Sequence, residues 1–506
     1  MPTVQGLTVQ VQRFAFAGNT LIDAAQLQPL VAPYLNRPLA FTELQAAASA
    51  VAEYYRQAGW VVQTYLPAQD LSEGTVTIQV LETTLGALKF ERSLAAPGLQ
   101  AQVENIFRSQ LPLGQALNAQ PLERATLLAN DLPGAGVEAS LVPGANPMHT
   151  DVAVTSLDKP ASYADLGTDN AGAESTGIYR LSAYGQFGNP GGYGDRLAWN
   201  ALHSDGSDYV RLAYSLPLGG DGWRVGVNSA RFDYKLNAAD LAALHATGSS
   251  DVNGLEASYP LLRARQHNLQ LNLAYDQRHY ENRANAATTT RYRIDSLGLG
   301  LEGNTYESAR GNAFSSAALT WVAGYLDLGG SPNQAADAAT TQAAGSYNKL
   351  RYSLSRQQDI APTLAWYAAL TGQMADKNLD SSEKLYLGGA DGVRAFPSSE
   401  AGGSEGQVLN LELRWRPDAA WGLTGFYDWG EIQVNRFNSF VGAATPNRYA
   451  LQGGGLALSW QGVSGVRLAL SWARRSQANP NPTAGGNDQD GTRHIDRIWA
   501  SAHVFF

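Results

Sequence analysis

The sequence predicts two small α+β domains followed by an all-β, 16-stranded antiparallel transmembrane barrel. The first 157 residues show apolar positions at helical spacing between short strands. From residue 161 onward, apolar and polar residues alternate with a period of two. No run of about 18 apolar residues is present, which excludes transmembrane helices but not a barrel, because barrel strands alternate between lipid and lumen.

The composition excludes several classes of function. The net charge of −9 argues against a nucleic-acid partner, since nucleic-acid binders present basic surfaces. The absence of cysteine excludes disulfides, zinc–thiolate sites and thiol catalysis. The seven histidines have no metal-ligand spacing, and neither a GxSxG motif nor a phosphate-binding GxxxxGK motif occurs. We therefore expect no catalytic site, no metal and no cofactor.

One segment near the C-terminus has two interpretations. Residues 487–491, Asn-Asp-Gln-Asp-Gly, faintly resemble a calcium-binding loop. The same residue types are typical of an ordinary polar turn. We favour the polar turn.

Residues 1–82 are predicted to form the first α+β domain, in the order β-α-α-β-β. A strand is expected between Leu7 and Phe16, and two helices follow it. Thr42 and Gln45 have the spacing of a capping box for the second helix, which Gly59 ends. The residues expected to face the core are Leu27, Leu30, Val31, Tyr34, Leu35, Leu44, Ala48, Val51, Tyr55, Val76, Ile78 and Val80.

Residues 83–157 repeat this order more loosely and are predicted to form the second domain. A strand at Leu85–Phe90 precedes two helices, and strands follow at Val137–Val142 and Asp151–Ser156. A single α+β domain over the whole region is the alternative; we favour two tandem domains. Each would present a sheet edge, which is the usual place to capture an extended peptide by strand addition.

Residues 158–506 are predicted to form the barrel. In Val210–Leu216, Leu409–Trp415 and Val466–Trp472, apolar residues occupy one face, and Arg, Glu, Asn or small residues occupy the other. A soluble sandwich also alternates, so the connections decide. Short turns are expected to alternate strictly with long polar loops, the latter at Asn237–Asn253, Gly329–Ser346, Asp380–Ser404, Asn435–Arg448 and Ser476–Arg493. An even strand count places the first domains and the C-terminus on the short-turn side.

The last strand carries apolar residues at every second position and ends in an aromatic residue. Ile498, Ala500, Ala502, Val504 and Phe506 form this series. A terminal aromatic residue resembles the signal that the barrel assembly machinery reads in bacterial outer membranes. We therefore expect Phe506 to be an assembly signal and that machinery to be a partner during biogenesis.

Two motifs add to the architecture. The loop sequence Val393-Arg394-Ala395-Phe396 matches a Val-Arg-Gly-Phe/Tyr pattern with alanine in place of glycine. Farther along, the segment 426–430 matches Phe-x-Asp-x-Gly fully. Both patterns, together with two front domains and a 16-stranded barrel, resemble the two-partner secretion transporters of Gram-negative bacteria, the filamentous-haemagglutinin and haemolysin transporter family.

The resemblance covers nearly the whole chain and carries expectations about structure and function. The front repeats look like periplasmic POTRA domains, and residues 169–180 look like the start of the family's barrel. The implied function is an outer-membrane pore that recognises one large unfolded exoprotein, an adhesin or haemolysin, and secretes it without ATP. The implied partners are that exoprotein and outer-membrane lipid. The implied functional residues are the loop motif and, on the strand, Phe426, Asp428 and Gly430.

The residue types agree with that placement. Since Tyr427 and Trp429 would face lipid, Asp428 would face the lumen and could pair with Arg394 in a guanidinium–carboxylate fork. Val393 and Phe396 would then pack on the inner wall, where Gly430 leaves room. This predicts that the loop 380–404 folds inward as a plug. The alternative is an exposed arginine in a mobile loop.

Two other function classes compete with secretion. A factor that inserts other barrels into the membrane shares both motifs, but such factors usually carry more or different front domains. A passive diffusion porin would lack the helical front third.

The sequence starts with a methionine directly before strand-like residues, so we expect a signal peptide to have been replaced. The N-terminal plug helix that the family often carries is expected to be absent or removed.

Overall fold

The computed structural model describes residues 8–146, 148–237, 242–308, 311–462 and 464–506. The chain divides into two compact units. The first contains the residues up to Lys159 with Gly192–Gly194 and Gly219–Gly222, and the second contains the other residues from Pro160 onward. The boundary predicted between residues 157 and 158 lies two residues before this division. Among the described residues, no helix has the length and apolar character needed to cross a membrane.

The first part of the front unit is a three-stranded sheet covered by two helices. Its elements are β1 (Thr8–Gln10), β2 (Arg13–Ala17), α1 (Ala24–Val31), β3 (Pro38–Ala40), α2 (Phe41–Gln57), β4 (Val62–Tyr65) and β5 (Thr75–Glu82). The sheet order is β2-β5-β4, with β2 parallel to β5. The apolar faces of both helices and β5 pack into one core.

Two local predictions for this part are wrong. The segment expected as one strand is divided, because the N–H groups of Gln12 and Arg13 both donate to Gly74 O (2.8 and 3.2 Å), leaving β1 to pair with β3 instead. Leu7, where that strand was expected to begin, lies outside the described residues. Helix α2 begins at Phe41, and Glu43 rather than Gln45 accepts the N–H of the N-cap residue Ala40 (2.9 Å).

The second part of the front unit has its own sheet and its own core. Its elements are β6 (Thr84–Arg92), α3 (Pro97–Gln110), α4 (Ala119–Asn130), β7 (Ala135–Pro143) and β8 (His149–Asp158). The sheet order is β6-β8-β7, with β6 parallel to β8. Only Thr83 separates β5 from β6. One apolar core lies before this residue and the other after it, so the boundary predicted between residues 82 and 83 is compatible with both cores and stays a prediction.

The second unit is a closed barrel, and the predicted count of 16 strands is confirmed. Its strands are antiparallel, each paired with its neighbours along the chain, and β26 pairs with β9 to close the ring. The elements are β9 (Tyr163–Asp169), β10 (Arg180–Gly188), β11 (Arg196–Ser204), β12 (Ser207–Leu218), β13 (Trp223–Lys235), β14 (Thr247–Arg263), β15 (His267–Ala284), β16 (Ala287–Glu307), β17 (Ala313–Asp327), α5 (Gln334–Ala339), β18 (Gly345–Ala361), β19 (Leu364–Ala375), β20 (Leu385–Tyr386), β21 (Gly402–Gly403), β22 (Glu405–Trp415), β23 (Trp421–Gln433), β24 (Arg448–Gln461), β25 (Val466–Arg475) and β26 (Asp496–Phe505). The short strands β20 and β21 belong to a connecting loop.

Side chains of the barrel strands alternate between an outer and an inner face, as predicted. In β23 the outward Tyr427 is 41% exposed, whereas the inward Phe426 and Asp428 are 7% and 0% exposed. Leu411 and Leu413 on β22 are likewise outward and 42% and 51% exposed. An outer face of exposed apolar side chains is the pattern of a barrel that spans a membrane.

The expected strict alternation of short turns and long loops is wrong at two places. We call the rim where the chain enters β9 and leaves β26 the near rim, and the opposite one the far rim. At the far rim, β11 joins β12 through Asp205-Gly206, and β15 joins β16 through Asn285-Ala286. The strands β14, β15 and β16 have 17, 18 and 21 residues, more than the roughly 9–11 that cross a bilayer.

Those long strands replace loop residues with sheet. Strand β14 begins at Thr247, inside the loop predicted at 237–253, because its residues continue the ladder with β13 and β15. Residues 238–241 of that loop lie outside the described residues. A tight turn then suffices between β15 and β16, where Asn285 and Ala286 adopt φ of 48° and 65°, as a type I′ turn requires.

Candidate functional site

The candidate site is the loop at residues 376–404, between β19 and β22, which we call the lumen loop. It contains a 3-10 helix at Ser381–Glu383 and the small hairpin β20–β21. Its start lies four residues before the predicted Asp380. Its middle forms an apolar cluster with inward side chains of β22 to β25, and Leu387, Val393, Ala395 and Phe396 are all 0% exposed. The loop therefore fills part of the barrel lumen.

Arg394 and Asp428 form a two-point ion pair inside this cluster. Arg394 Nε donates to Asp428 Oδ2 (2.8 Å), and Nη2 donates to Oδ1 (2.7 Å). The backbone N–H of Arg394 also donates to Oδ2 (3.0 Å). Asp428 is completely buried, and the Arg394 side chain is 12% exposed. Parallel bonds between a guanidinium and a carboxylate determine orientation as well as distance.

Phe426 of the strand motif completes the cluster together with Glu412 and Asn410, which sequence reasoning did not single out. Glu412 Oε1 lies 2.9 Å from Arg394 Nη1, and the guanidinium carbon lies 3.5 Å above the centre of the Phe426 ring. Asn410 Nδ2 donates to Asp428 Oδ1 (2.7 Å) and to Gly392 O (3.0 Å). The inward phase of Asn410 and Glu412 along β22 was the available signal. We call Arg394, Asp428, Glu412, Asn410 and Phe426 the Arg394 cluster.

Charge is balanced within this part of the lumen. Glu412 also pairs with Arg414, whose Nη2 lies 2.7 Å from Glu412 Oε2. Two arginines therefore face two carboxylates. Trp499 Nε1 on β26 donates to the carbonyl of Arg394 (2.8 Å), which ties the loop backbone to the last strand. An indole N–H needs such a partner when it is buried.

Glycines in the wall make room for the loop. A Cβ added to Gly430 would lie 3.2 Å from both Leu387 Cδ2 and Val393 Cγ2, as the predicted packing requires. A Cβ added to Gly453 would lie 2.4 Å from the Cβ of Ala395. Ala395 itself does not adopt a positive φ, so glycine is not needed at that position of the loop motif.

The end of the lumen loop contacts the last long connection of the far rim. Glu400 is completely buried and accepts the N–H of Gln489 (2.7 Å) and Nδ2 of Asn479 (3.1 Å). Burial raises the pKa of the Glu400 carboxyl, while these two hydrogen bonds oppose the rise. Asp488 pairs with Arg475, whose Nη2 lies 2.5 Å from its Oδ2. The acidic residues of segment 487–491 are thus bound to protein groups, as in a polar turn.

Metal binding has no geometric support in the described part of the chain. There, no group of His, Asp and Glu side chains is arranged to hold a metal ion. Asp490 in the same segment pairs with Arg497 (2.8 Å). The carboxylate of Asp490 is therefore already paired with a side-chain cation.

Phe506 lies at the seam where the barrel closes. Its N–H donates to Ala164 O (2.9 Å), its carbonyl accepts the Ala164 N–H (3.3 Å), and its side chain is 72% exposed. At the other end of the same seam, Asn170 Oδ1 accepts the N–H of Ala500 (2.8 Å) and Nδ2 donates to Ile498 O (2.9 Å). The Asn170 amide therefore extends a seam whose ladder spans only five residue pairs.

Comparison with known proteins gives matches over both units. The family of haemolysin secretion/activation proteins ShlB/FhaC/HecB matches residues 149–448, and the ShlB-type POTRA domain matches residues 9–83. The heme/hemopexin transporter protein HuxB of Haemophilus influenzae is 25% identical over 463 residues, which cover 90% of this chain and 81% of HuxB. The outer membrane transporter CdiB of Dickeya dadantii is 24% identical, over 93% of this chain and 82% of CdiB.

Solved structures support the same fold. CdiB from Escherichia coli superposes with a TM-score of 0.76 at 21% identity, covering 99% of this chain and 91% of CdiB. BamA from Haemophilus ducreyi lacking POTRA domains 1–3 superposes with a TM-score of 0.55 at 16% identity, covering 99% of this chain and all of that one. The family match over most of the barrel shows that the chain belongs to the ShlB/FhaC/HecB family of two-partner secretion transporters, which lie in the outer membrane with the POTRA region in the periplasm.

Proposed function

We propose that this chain conducts one large unfolded exoprotein, of adhesin or haemolysin type, from the periplasm to the cell surface without ATP. The observation that carries the proposal is the lumen loop. Side-chain contacts hold it in the barrel interior, and it is not part of the strand ladder that closes the barrel. Such a loop can leave the lumen while the strand ladder stays intact. The sequence contains no phosphate-binding GxxxxGK motif, which supports transport without nucleotide hydrolysis.

The relatives support transport and no catalytic step. Both HuxB and CdiB carry the word transporter in their names. We infer that this chain is likewise not an enzyme. The loop motif and the strand motif then have a gating role, in which Arg394 and Asp428 keep the loop in place until an exoprotein arrives.

The front unit is the proposed place of capture. The edges of its sheets are β2 and β4 in the first part and β6 and β7 in the second. An edge strand presents N–H and C=O groups that can pair with an extended segment of an unfolded chain. Capture by strand addition would select for an extended exoprotein before it reaches the pore.

Outer-membrane lipid and the barrel assembly machinery are further proposed partners. The outward apolar side chains of the barrel support contact with lipid. The exposed aromatic side chain of Phe506, next to the seam, supports recognition of this residue by the assembly machinery before the last strand pairs with the first.

The test is secretion of a candidate partner in a strain that lacks this chain. The large exoprotein encoded nearest to the chain's gene is expressed with and without the wild-type transporter, and its amount in the medium and on intact cells is measured. We expect surface or released exoprotein only when the transporter is present. Equal amounts in both strains would contradict the proposal.

A further inference from the structure

The lumen loop is fastened to the barrel at a second place, eleven residues before Arg394. Glu383 ends the 3-10 helix near the start of the loop and is 2% exposed. Its Oε1 lies 2.5 Å from Arg278 Nη1 on β15, and its Oε2 lies 2.6 Å from Lys349 Nζ on β18. Glu383 thus pairs with two cations, on β15 and β18. The carboxylates that pair with Arg394 lie on β22 and β23, in a different part of the wall.

The backbone at Glu383 is bound as well. Its carbonyl accepts hydrogen bonds from Lys349 Nζ and from Gln373 Nε2, both at 3.0 Å. The same Gln373 Nε2 donates to Ser404 O (3.1 Å), at the end of the loop. Gln373, which is 1% exposed, therefore ties the beginning and the end of the lumen loop to β19.

Neighbouring contacts place the 3-10 helix in this position. Asp380 accepts the N–H of Ser382 (2.9 Å), which begins the helix, and also accepts Tyr292 Oη (2.9 Å) from β16. Leu379 packs into an apolar cluster with Tyr292, Tyr347 and other wall residues. The carboxylate of Glu383 is therefore delivered to Arg278 and Lys349 by a supported backbone.

The charges in this place depend on one another. The side chains of Lys349 and Glu383 are each 3% exposed. Among the described residues, Glu383 is the one carboxylate that pairs with Lys349. If the loop left, Lys349 would lose this carboxylate, whereas Arg278 would keep Asp276, whose Oδ2 lies 3.0 Å from its Nη2. Loss of a partner from a buried ion pair is strongly unfavourable. The arrangement therefore favours a loop that stays in the lumen or returns to it.

We propose that Glu383, with Arg278 and Lys349, is a second anchor of the lumen loop, which positions Arg394 against Asp428 and must open together with the Arg394 cluster during transport. The inference rests on the proposed function, because it assigns a role in the same movement. Glu383 acts through the loop and is a positioning residue.

The test follows loop mobility and pore opening in the full-length protein. The chain has no cysteine, so a spin label on Ser381→Cys reports the loop alone. Glu383→Gln removes the charge at nearly constant volume, and Lys349→Met removes its partner. The control is Glu431→Gln, because Glu431 pairs with Arg448 on β24 and not with the loop. Assembly of every variant is checked by heat-modifiable electrophoretic migration.

We expect a larger mobile component in the spin-label spectrum of Glu383→Gln and Lys349→Met. The frequency of channel openings in planar bilayers should rise at least fivefold in both, and the double variant should resemble either single one, since the residues act as a pair. Glu431→Gln should match the wild type. Unchanged label mobility and unchanged openings in Lys349→Met would overturn the proposal, even if Glu383→Gln failed to assemble.

Secretion by the wild-type transporter separates this inference from the proposed function. Failure of the wild type to secrete its candidate exoprotein would contradict the proposed function. The spin-label and conductance measurements need no exoprotein, so a mobile loop in Glu383→Gln would still support the anchor in that case.

Discussion

Arg394 is held by three kinds of contact at once. Its guanidinium pairs with two carboxylates and lies on the ring of Phe426, while its carbonyl accepts the Trp499 indole N–H. A lysine could supply the charge but not the parallel bonds to Asp428. The residue type at position 394 is therefore required by geometry as much as by charge.

The first prediction concerns that ion pair. Arg394→Ala leaves the buried Asp428 carboxylate without its cation, which costs about 3–5 kcal/mol for a buried pair. Asp428→Ala removes the two-point pair and leaves Arg394 with Glu412. Because the closed strand ladder is untouched, we expect assembled barrels with secretion reduced at least tenfold. The double variant should be little worse than either single one.

Exoprotein release and heat-modifiable migration are measured together for these variants. Arg211→Ala is the matched control, since Arg211 faces the same lumen and, within the described residues, forms one long ion pair, with Glu256 (3.8 Å). Full secretion by both single variants with normally assembled barrels would show that the ion pair has no role in transport.

The second prediction concerns space beside the loop. Gly430→Val should displace the loop, because even a Cβ would lie 3.2 Å from Leu387 and Val393. The frequency of channel openings should rise several-fold. Gly425→Val on the same strand is the control, since its added Cβ would lie 3.8 Å from the nearest atom. Equal conductance of the two variants would contradict this role of Gly430.

The site could be predicted from sequence only in part at this scale. The pairing of Arg394 with Asp428 followed from two motifs and from the inward phase of Asp428 in its strand. Asn410, Glu412 and Trp499 did not follow, because many inward polar residues share their pattern and only the path of the loop selects these three.

At the scale of elements, the lumen loop is stable without much regular structure. Its two short strands have two residues each. Polar attachments at Glu383, Arg394 and Glu400 add to the apolar cluster that holds its middle. Each of these three meets a different part of the wall or the far rim. Sequence patterns detect helices and strands by periodicity, so they locate such a loop without describing its attachments.

The third prediction concerns the edges of the front sheets. Residues 7–157, which contain both cores of the front unit, should bind an extended secretion segment of the partner exoprotein. We expect weak binding, because ordering an unfolded chain offsets much of the contact energy. Isothermal titration with the N-terminal region of the exoprotein measures it, with a scrambled segment as control. Absence of binding would place capture elsewhere in the chain.

The whole molecule has two rims of different character. Near-rim connections are short, and most far-rim connections are long, although two of the latter are tight turns. Since an even number of strands returns the chain to the side where it entered, both ends of the barrel lie at the near rim. With the POTRA region in the periplasm, we expect the far rim to lie at the cell surface.

The fourth prediction tests this orientation. A peptide tag inserted at Gly330, in a far-rim connection where nothing lies within 4 Å of an added Cβ, should be labelled by antibody on intact cells. A tag in the near-rim turn at Gly219–Gly222 should be labelled only after the outer membrane is opened. Labelling of the near-rim tag on intact cells would reverse the topology.

The sequence alone determined the fold class, the strand count and the facing of the strands. Those features depend on local periodicity: a strand residue faces lipid or lumen according to its parity, and a helix buries every third or fourth residue. The sequence also determined the pair Arg394–Asp428, since each motif restricts one partner.

The tertiary structure decided what brings distant residues together. Glu383 meets Arg278 across 105 positions of the chain, and Glu400 meets Gln489 across 89. It also decided that β14 begins inside the loop expected at 237–253, because its backbone groups pair with the neighbouring strands β13 and β15. Such contacts depend on how the closed ring arranges its walls around the loop, which no local pattern encodes.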